Sequence, residues 1–211
     1  MSLNVSRNNI ISIACRSFGF YFLLVLTACT TTIKPDTVDD PEREWSQRQI
    51  QLKQILSWKI NGRLAVTNKA EVWHLSVIWE QQAQQYKIHL SGPFGAGAVQ
   101  LSGDQFGVSI QTADQTHYAQ DASQLLYDNT GVQIPIESLF YWIRGLANPK
   151  FTISNQKLDA YGRLKKLSQN NWNIRFKRYE EINAIYLPSK VFIKQNNLDI
   201  RFVIEDWLIS S

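Results

Sequence analysis

The sequence has few of the residue types on which most catalytic and metal sites depend. It contains two cysteines and three histidines in 211 residues, and the histidines (His74, His89 and His117) lie far apart. None of them belongs to a metal-binding motif or to a catalytic triad. The sequence also has no nucleophile elbow and no phosphate-binding loop. We therefore expect surface histidines, no metal, no cofactor and no enzymatic activity.

The sequence also lacks an apolar run long enough to cross a bilayer. Its most apolar uncharged run, Phe18 to Ala28, has 11 residues, whereas a membrane-spanning helix needs about 20. Arg7 and Arg16 lie before this run, and the run ends in small residues. A basic start, a short apolar segment and a small-residue cleavage site predict a removable secretory signal over residues 1–28.

Cys29 follows the predicted cleavage site directly. Leu26-Thr27-Ala28-Cys29 resembles the lipobox of bacterial lipoproteins, in which the cysteine sulfur receives a diacylglyceryl group before cleavage and the new amine is then acylated. The resemblance implies a covalent lipid on Cys29. Thr30 at the next position implies, by bacterial sorting rules, export to the outer membrane with the domain facing the periplasm. The alternative is an ordinary signal or short membrane helix with a chance cysteine.

The mature chain is nearly neutral. Removing residues 1–28 removes two of the 22 basic residues and none of the 18 acidic ones, which leaves a net charge of +2. This excess is too small to indicate nucleic-acid binding. Cys15 leaves with the signal and Cys29 carries the lipid, so no disulfide can form within one mature chain and burial must stabilise the fold. Residues 29–40 read as an acylated N-terminus and flexible tether, and residues 41–211 as one domain.

Hydrophobic periodicity predicts the order of the elements. Asp40 caps a predicted helix, from Ser57 the period changes to two for about fifty residues, and after Pro149 the period of two returns. These runs predict about ten antiparallel strands, each with one apolar face, including a strand that begins at Phe106. The apolar stripe of the first helix consists of Trp45, Gln49, Leu52, Ile55 and Leu56. Between the strand regions, Asp121 caps a short helix and a second helix carries Leu139, Trp142, Ile143 and Leu146.

One turn between predicted strands contains a large aromatic residue among small ones. Ser91-Gly92-Pro93-Phe94-Gly95-Ala96-Gly97 places Phe94 at the tip of a hairpin. The spacing leaves two interpretations open. In the first, the Phe94 side chain folds back onto the sheet as part of the core. In the second, it inserts into the bilayer to which the protein is already tethered.

The order and spacing of these motifs resemble those of the LolB family of outer-membrane lipoprotein receptors. The similarity includes the lipobox, the strand with Gly62-Arg63, the Trp79 strand, the Gly-Pro-Phe-Gly turn, and Ile134-Pro135 followed by the apolar helix. The resemblance implies a mainly β fold: an incomplete antiparallel barrel, or curved meander sheet, covered by a helical lid that encloses a hydrophobic cavity. It also implies a monomer that takes acylated lipoproteins from a LolA-like periplasmic carrier and inserts them into the outer membrane.

The resemblance and the hydrophobic periodicity predict two groups of functional residues. The family's exposed loop leucine falls on Phe94, so Phe94 with Pro93 and Gly95 is the predicted membrane-insertion loop. The predicted acyl-chain cavity has strand walls and a helical lid, and plain core packing is the open alternative for each residue. The walls are Trp58, Trp73, Leu75, Val77, Trp79, Ile88 and Leu90, and the lid is Trp142, Ile143 and Leu146.

Three other functions stay open at this stage. The chain is a lipoprotein that binds free lipid or glycolipid, a structural docking lipoprotein with a solid core, or a hydrolase with a scattered triad that no motif supports. The basic strand faces could meet an acidic carrier or be solvated only. They carry Lys59, Arg63, Lys87, Arg175, Lys177, Lys190, Lys194 and Arg201.

Overall fold

The strands predicted from the period of two form one antiparallel sheet. The computed structural model describes residues 37–69 and 71–210, and the predicted signal peptide and the predicted lipidation site at Cys29 lie outside this range. Eleven strands occur in the described residues, in the order β6-β5-β4-β3-β2-β1-β11-β10-β9-β8-β7. They are β1 (Ser57–Thr67), β2 (Val72–Gln82), β3 (Gln85–Ser91), β4 (Val99–Gly103), β5 (Val108–Gln111), β6 (Thr116–Ala119), β7 (Ile153–Leu158), β8 (Leu164–Gln169), β9 (Trp172–Ile182), β10 (Ile185–Gln195) and β11 (Leu198–Ser210).

The sheet is open because its end strands, β6 and β7, do not pair with each other. Each neighbouring pair is antiparallel, and the long first and last strands pair at the centre. A chain of strands with one apolar face must curve to bury that face, and helices cover what the curvature leaves exposed. The predicted incomplete barrel with a helical cover is therefore confirmed, with eleven strands where the sequence predicts about ten.

A bulge in the central pair requires a glycine. The register between β1 and β11 shifts between Asn61 and Gly62. A side chain at position 62 would meet the carbonyl oxygen of Val203. The extra residue on β11 bends the strand, and only glycine lets the two backbones approach this closely.

Three helices accompany the sheet in the described residues. They are α1 (Pro41–Gln54), α2 (Ala122–Thr130) and α3 (Ile136–Trp142). The carboxylate of Asp40 accepts hydrogen bonds from the amides of Glu42 (3.1 Å) and Arg43 (3.0 Å), and Asp121 accepts one from Gln124 (2.7 Å). Both predicted caps are thus observed, and both satisfy amides that a helix start leaves without partners.

The predicted stripe of α1 is wrong at its end. The helix ends at Gln54 and Ile55 has a non-helical ψ of 89°, so the residues after Gln54 leave the stripe. Ile55 is buried, but Leu56 is 50% exposed. Arg48, rather than Gln49, is the polar residue that α1 buries.

The strand predictions fail where short polar segments or turns interrupt the alternation. The edge strands β6 and β7 have mostly exposed side chains, so they lack the apolar alternation that predicts a strand. Phe106 is 75% exposed and precedes β5. The carboxylate of Asp104 accepts hydrogen bonds from the amides of Phe106 (2.8 Å) and Gly107 (3.2 Å), and this turn directs Phe106 away from the core.

The core of the described residues extends from Trp45 to Trp207. It combines the inner faces of the strands with the apolar faces of all three helices. A chain that begins at Thr30 keeps each of these core residues, and we therefore expect it to fold without the preceding segment.

Candidate functional site

The turn after β3 holds Phe94 entirely in solvent. Its side chain has a relative exposure of 109%. Pro93–Gly95 form a 3-10 turn in which Phe94 has φ 58° and ψ 24°. Ala96 closes the turn, because its carbonyl oxygen accepts from the Gly92 amide (2.8 Å) and its amide donates to the Pro93 carbonyl oxygen (3.2 Å).

The backbone of this turn determines the direction of the ring. A left-handed conformation costs a non-glycine residue about 1–2 kcal/mol, and a bulky residue adopts it rarely. The neighbours allow this geometry, because Gly95 and Gly97 also have positive φ (81° and 60°) and a Cβ at position 92 would lie 2.9 Å from the Ala96 carbonyl oxygen. Phe94 therefore does not fold back onto the sheet, although spacing alone could not decide this.

An aromatic cluster fills the interior at the other end of β2. The ring of Trp58 lies 5.3 Å from Trp79, 5.4 Å from Trp207 and 6.3 Å from Phe140, measured between ring centroids. The Nε1 hydrogen of Trp58 is buried and has no acceptor among residues 37–69 and 71–210. Tilted and stacked rings at these distances are typical of a stable packed core.

The ten residues predicted to line a cavity lie on the inner side of the fold but differ in burial. Those in the closed interior are Trp58, Val77, Trp79, Ile88, Trp142, Ile143 and Leu146. Trp73, Leu75 and Leu90 are only half-buried, although they pack against the same core. Side-chain packing therefore occupies the closed part of the interior, and accessible apolar surface lies elsewhere along it.

The half-buried residues form a mouth next to the Phe94 turn. Val77, Leu90 and Val99 are cross-strand neighbours on β2, β3 and β4, and Trp73 and Leu75 continue the inner face of β2 beyond the end of β3. We call Trp73, Leu75, Leu90 and Val99 the mouth. Leu90 and Val99 flank the turn that carries Phe94, so the mouth and the exposed ring lie at one end of the sheet.

Buried polar groups fix α3 over the interior. Arg144, at the end of α3, donates from Nη1 to the carbonyl oxygens of Ile55 (2.7 Å) and Leu52 (3.3 Å), and from Nε to that of Phe140 (3.0 Å). Burial lowers the pKa of Arg144 to about 10. Its guanidinium thus joins the end of α3 to the end of α1 and satisfies the buried carbonyl oxygen of Ile55, whereas that of Leu52 also accepts from the Ile55 amide (3.3 Å).

Gln169 on β8 anchors the other side of α3. Its Oε1 accepts from Trp142 Nε1 (3.1 Å) and from the Asn148 amide (2.9 Å). Its Nε2 donates to the carbonyl oxygens of Asn148 and Phe151, both at 2.8 Å. The apolar stripe predicts the inward face of α3, and these polar contacts determine its position.

A second opening lies between α3 and the β2–β3 hairpin. This crevice has a volume of about 390 Å³ and includes Trp79, Tyr86, Ile136 and Phe140 in its lining. It lies at the opposite end of β2 and β3 from the mouth, since the hairpin turn follows Gln82. The mouth and this crevice therefore lie at opposite ends of β2 and β3.

Tyr86, in this crevice, gives the fold a pH dependence. Burial raises the pKa of Tyr86 to about 12, whereas an exposed tyrosine titrates near 10. The unfolded chain loses this proton first, so the contribution of Tyr86 to stability is complete below about pH 10 and is lost as the pH approaches 12.

We expect the unfolding free energy of Tyr86→Phe to fall less steeply than that of the wild type as the pH rises from 10 to 12, as measured by denaturant titrations at each pH. Tyr118→Phe, at an exposed tyrosine, should keep the wild-type slope, and equal slopes in all three proteins would contradict the assignment.

The described residues show no metal-ligating group of side chains around these features. No group of three or more His, Cys, Asp and Glu side chains in residues 37–69 and 71–210 could hold a metal ion. His74 and His117 are exposed and His89 is half-buried. The site consists of apolar surface and a projecting ring, which can bind apolar chains.

The sequence matches a family model over most of the domain. Residues 56–207 match the model described as "Outer membrane lipoprotein LolB". The chain belongs to the LolB family. It is 34% identical over 186 residues to the outer-membrane lipoprotein LolB of Nitrosococcus oceani, an alignment that covers 88% of this chain and 92% of that protein. It is 33% identical over 192 residues to LolB of Pseudomonas syringae, with coverages of 89% and 93%.

One solved structure has a similar fold. The chain superposes on a LolA superfamily protein from Nitrosomonas europaea with a TM-score of 0.55, covering 79% of this chain and 93% of that one at 6% sequence identity. At this identity the similarity shows the fold alone. In the described part of this LolB-family chain, every helix is too short or too polar to cross a bilayer.

Proposed function

We propose that this protein accepts acylated lipoproteins from a LolA-like periplasmic carrier and inserts them into the outer membrane. The observation that carries the proposal is the fully exposed Phe94 beside a half-buried apolar mouth. The cargo's acyl chains enter at the mouth and leave past the Phe94 turn. A covalent lipid on Cys29 anchors the protein, a monomer with its domain in the periplasm, to the membrane that receives the cargo.

The energetics of acyl chains require a protein interior throughout the transfer. Exposing a chain of about 15 methylenes to water costs on the order of 12 kcal/mol, so unassisted crossing of the periplasm is very slow. Each ~1.4 kcal/mol by which this interior binds the chain more strongly than the carrier favours forward transfer tenfold. A difference in affinity thus drives transfer without nucleotide hydrolysis or any other enzymatic step, and the bilayer provides the final, more favourable site.

The mouth is the part of the interior that can admit a chain. Its residues are half-buried, whereas the cluster around Trp58 is closed by close ring contacts. A chain that enters deeper must displace α3, which Arg144 and Gln169 hold. We therefore assign the first acyl-chain contacts to Trp73, Leu75, Leu90 and Val99.

The experiment that tests this proposal measures transfer of a labelled lipoprotein from purified carrier to the chain that begins at Thr30. We expect the label to move to this protein without nucleotide. If the label stays on the carrier while a fluorescent lipid binds this protein, the cargo is another lipid or glycolipid and the receptor proposal is wrong.

A substitution in the mouth makes the test specific. Leu75→Glu places a carboxylate against the entering chain and removes apolar contact, and we expect at least about tenfold less uptake from the carrier. Ile78→Glu is the matched control, because Ile78 lies on the outer face of the same strand and is 38% exposed. Equal uptake by both variants would exclude the mouth as the entry site.

A second candidate function is favoured by the packing of the interior. Seven of the ten predicted cavity residues are buried in the described structure, which fits a docking lipoprotein with a solid core. Failure of both lipoprotein and fluorescent lipid to bind would support this function, since a solid core has no space for either ligand.

A further inference from the structure

Four basic side chains surround one aromatic ring on the outer face of the sheet. The charged groups of Arg175, Lys177, Lys190 and Arg201 lie 5.7 to 6.0 Å from the centroid of the Phe192 ring. We call these four residues the basic cluster. The strand register explains their convergence, since Arg175 and Arg201 are the cross-strand neighbours of Phe192 on its two sides.

The protein does not neutralise the basic cluster internally. None of its four cations forms an ion pair with an acidic side chain of residues 37–69 or 71–210. Other cations near the basic cluster do form ion pairs. Arg63 pairs with Glu205 (2.6 Å), and Lys194 pairs with Asp199 (3.1 Å). Four like charges around one ring repel each other, and an anionic partner would relieve this repulsion.

The basic cluster shares a groove with the turn that carries Phe94. The groove has a volume of about 460 Å³, and its lining includes Pro93, His74, Lys190, Phe192 and Arg201. Pro93 is the residue directly before Phe94. A surface that Phe94 reaches is therefore next to cations that favour phosphate and other anions.

We propose that the basic cluster binds the anionic headgroups of phospholipids in the bilayer that Phe94 enters. The inference rests on the proposed delivery of cargo to a membrane. The groove combines cations with the apolar surface of Phe192 and Pro93, and a lipid surface presents phosphate above apolar chains. Lysine and arginine near an anionic membrane surface each strengthen binding severalfold, and an inserted aromatic ring adds a salt-independent contribution.

The test measures binding of the chain that begins at Thr30 to vesicles by co-sedimentation. One set of vesicles contains phosphatidylcholine alone and the other contains phosphatidylcholine with phosphatidylglycerol. We expect stronger binding to the anionic vesicles, and we expect salt to reduce it. The double variant Lys190→Gln/Arg201→Gln should bind the anionic vesicles about 30-fold more weakly.

A matched double variant separates the basic cluster from net charge. Arg43→Gln/Lys53→Gln removes two exposed cations from α1 and should reduce binding to anionic vesicles by less than about threefold, because neither side chain lines the groove that contains Lys190, Arg201 and Pro93. Equal loss in the two double variants, or equal binding of the wild type to both vesicle types, would overturn the proposal.

Transfer from the carrier distinguishes the remaining outcomes. If Lys190→Gln/Arg201→Gln binds vesicles normally but takes up less cargo, the basic cluster contacts an acidic carrier and our proposal is wrong. If the wild type takes up no cargo yet binds anionic vesicles through the basic cluster, the receptor function fails while the lipid-binding surface stands.

Discussion

Phe94→Glu is expected to leave uptake of cargo from the carrier intact and to block its delivery to membranes. Burying a phenylalanine side chain in an apolar environment stabilises the buried state by about 1.5–3 kcal/mol. Its loss should therefore slow delivery by a factor of about 10 to 150, and the added carboxylate opposes insertion further. The measurement is transfer of labelled lipoprotein from this protein to vesicles, scored separately from loading.

Phe106→Glu provides the matched control for Phe94→Glu. Phe106 is also an exposed phenylalanine in a hairpin turn. It follows the end of β4, where Gly103 pairs with Tyr86 at the start of β3, whereas Phe94 follows the end of β3. The same chemical change thus falls at the opposite end of the strand. We expect normal delivery by Phe106→Glu, and an equal loss in both variants would show that general surface polarity, rather than the Phe94 turn, limits delivery.

Separate effects on uptake and delivery follow from the arrangement of the site. Leu75 and Leu90 in the mouth pack against the core, whereas the side chain of Phe94 is fully exposed. Under the proposed function, we therefore expect a substitution in the mouth to change affinity for the acyl chain and a substitution at Phe94 to change only the delivery step. If Phe94→Glu also abolished uptake, the turn would belong to the binding site and the proposed division of roles would be wrong.

The sequence predicts the sheet and the helix starts well because simple physical rules determine them. Alternation of apolar and polar residues defines the inner face of β1, β2 and β9 to β11, and Asp40 and Asp121 supply the caps that helix starts require. The edge strands β6 and β7 contain no such alternation. They form because neighbouring strands pair with them, which is information that a local pattern does not contain.

The candidate site is less predictable, for reasons specific to each residue. The positive φ of Phe94 decides that its ring points outward, and spacing does not report φ. Periodicity places Trp58 and Leu75 on the same face, but only packing distances show that the first lies in a closed cluster and the second in the mouth. The basic cluster is visible in the sequence as four separate cations on three strands, β9, β10 and β11, and its convergence on Phe192 depends on the register.

The buried arginines are the least predictable part of the fold. Arg144 lies outside the apolar stripe of α3, in the turn after the helix ends at Trp142, so helical spacing gives no reason to expect it inside. Arg48 lies on α1 between Trp45 and Leu52 and is also buried. Helical spacing places Arg48 on the same stripe as Trp45 and Leu52, whereas the burial of Arg144 is explained by its hydrogen bonds alone.

Arg144→Met is expected to be destabilising. The substitution leaves the buried carbonyl oxygen of Ile55 without its donor, whereas the carbonyl oxygen of Leu52 keeps the hydrogen bond from the Ile55 amide (3.3 Å). An unsatisfied buried acceptor costs about 1–3 kcal/mol, so the unfolding free energy should fall by about that amount. Equilibrium denaturation of the chain that begins at Thr30 measures this loss.

Arg48→Met should have a very different effect, although the chemical change is the same. One terminal nitrogen of Arg48, Nη2, is buried without a partner in the described residues, and burial lowers the pKa of this side chain. Replacing a buried charge that is poorly satisfied with an apolar side chain of similar length is often neutral or stabilising. We expect a change within about 1 kcal/mol, or a gain, on the scale of typical substitutions.

The comparison of the two variants tests how α3 is held over the interior. If Arg144→Met loses stability and Arg48→Met does not, specific bonds from Arg144 to the end of α1 hold the helix in place, because loss of volume and charge is equal in both. If both variants lose stability equally, burial of the arginine stems rather than hydrogen bonding stabilises this region, and α3 must be held chiefly by Gln169 and apolar packing. In that case, movement of α3 to admit a longer acyl chain would require breaking the contacts of Trp142 with β8 and β9.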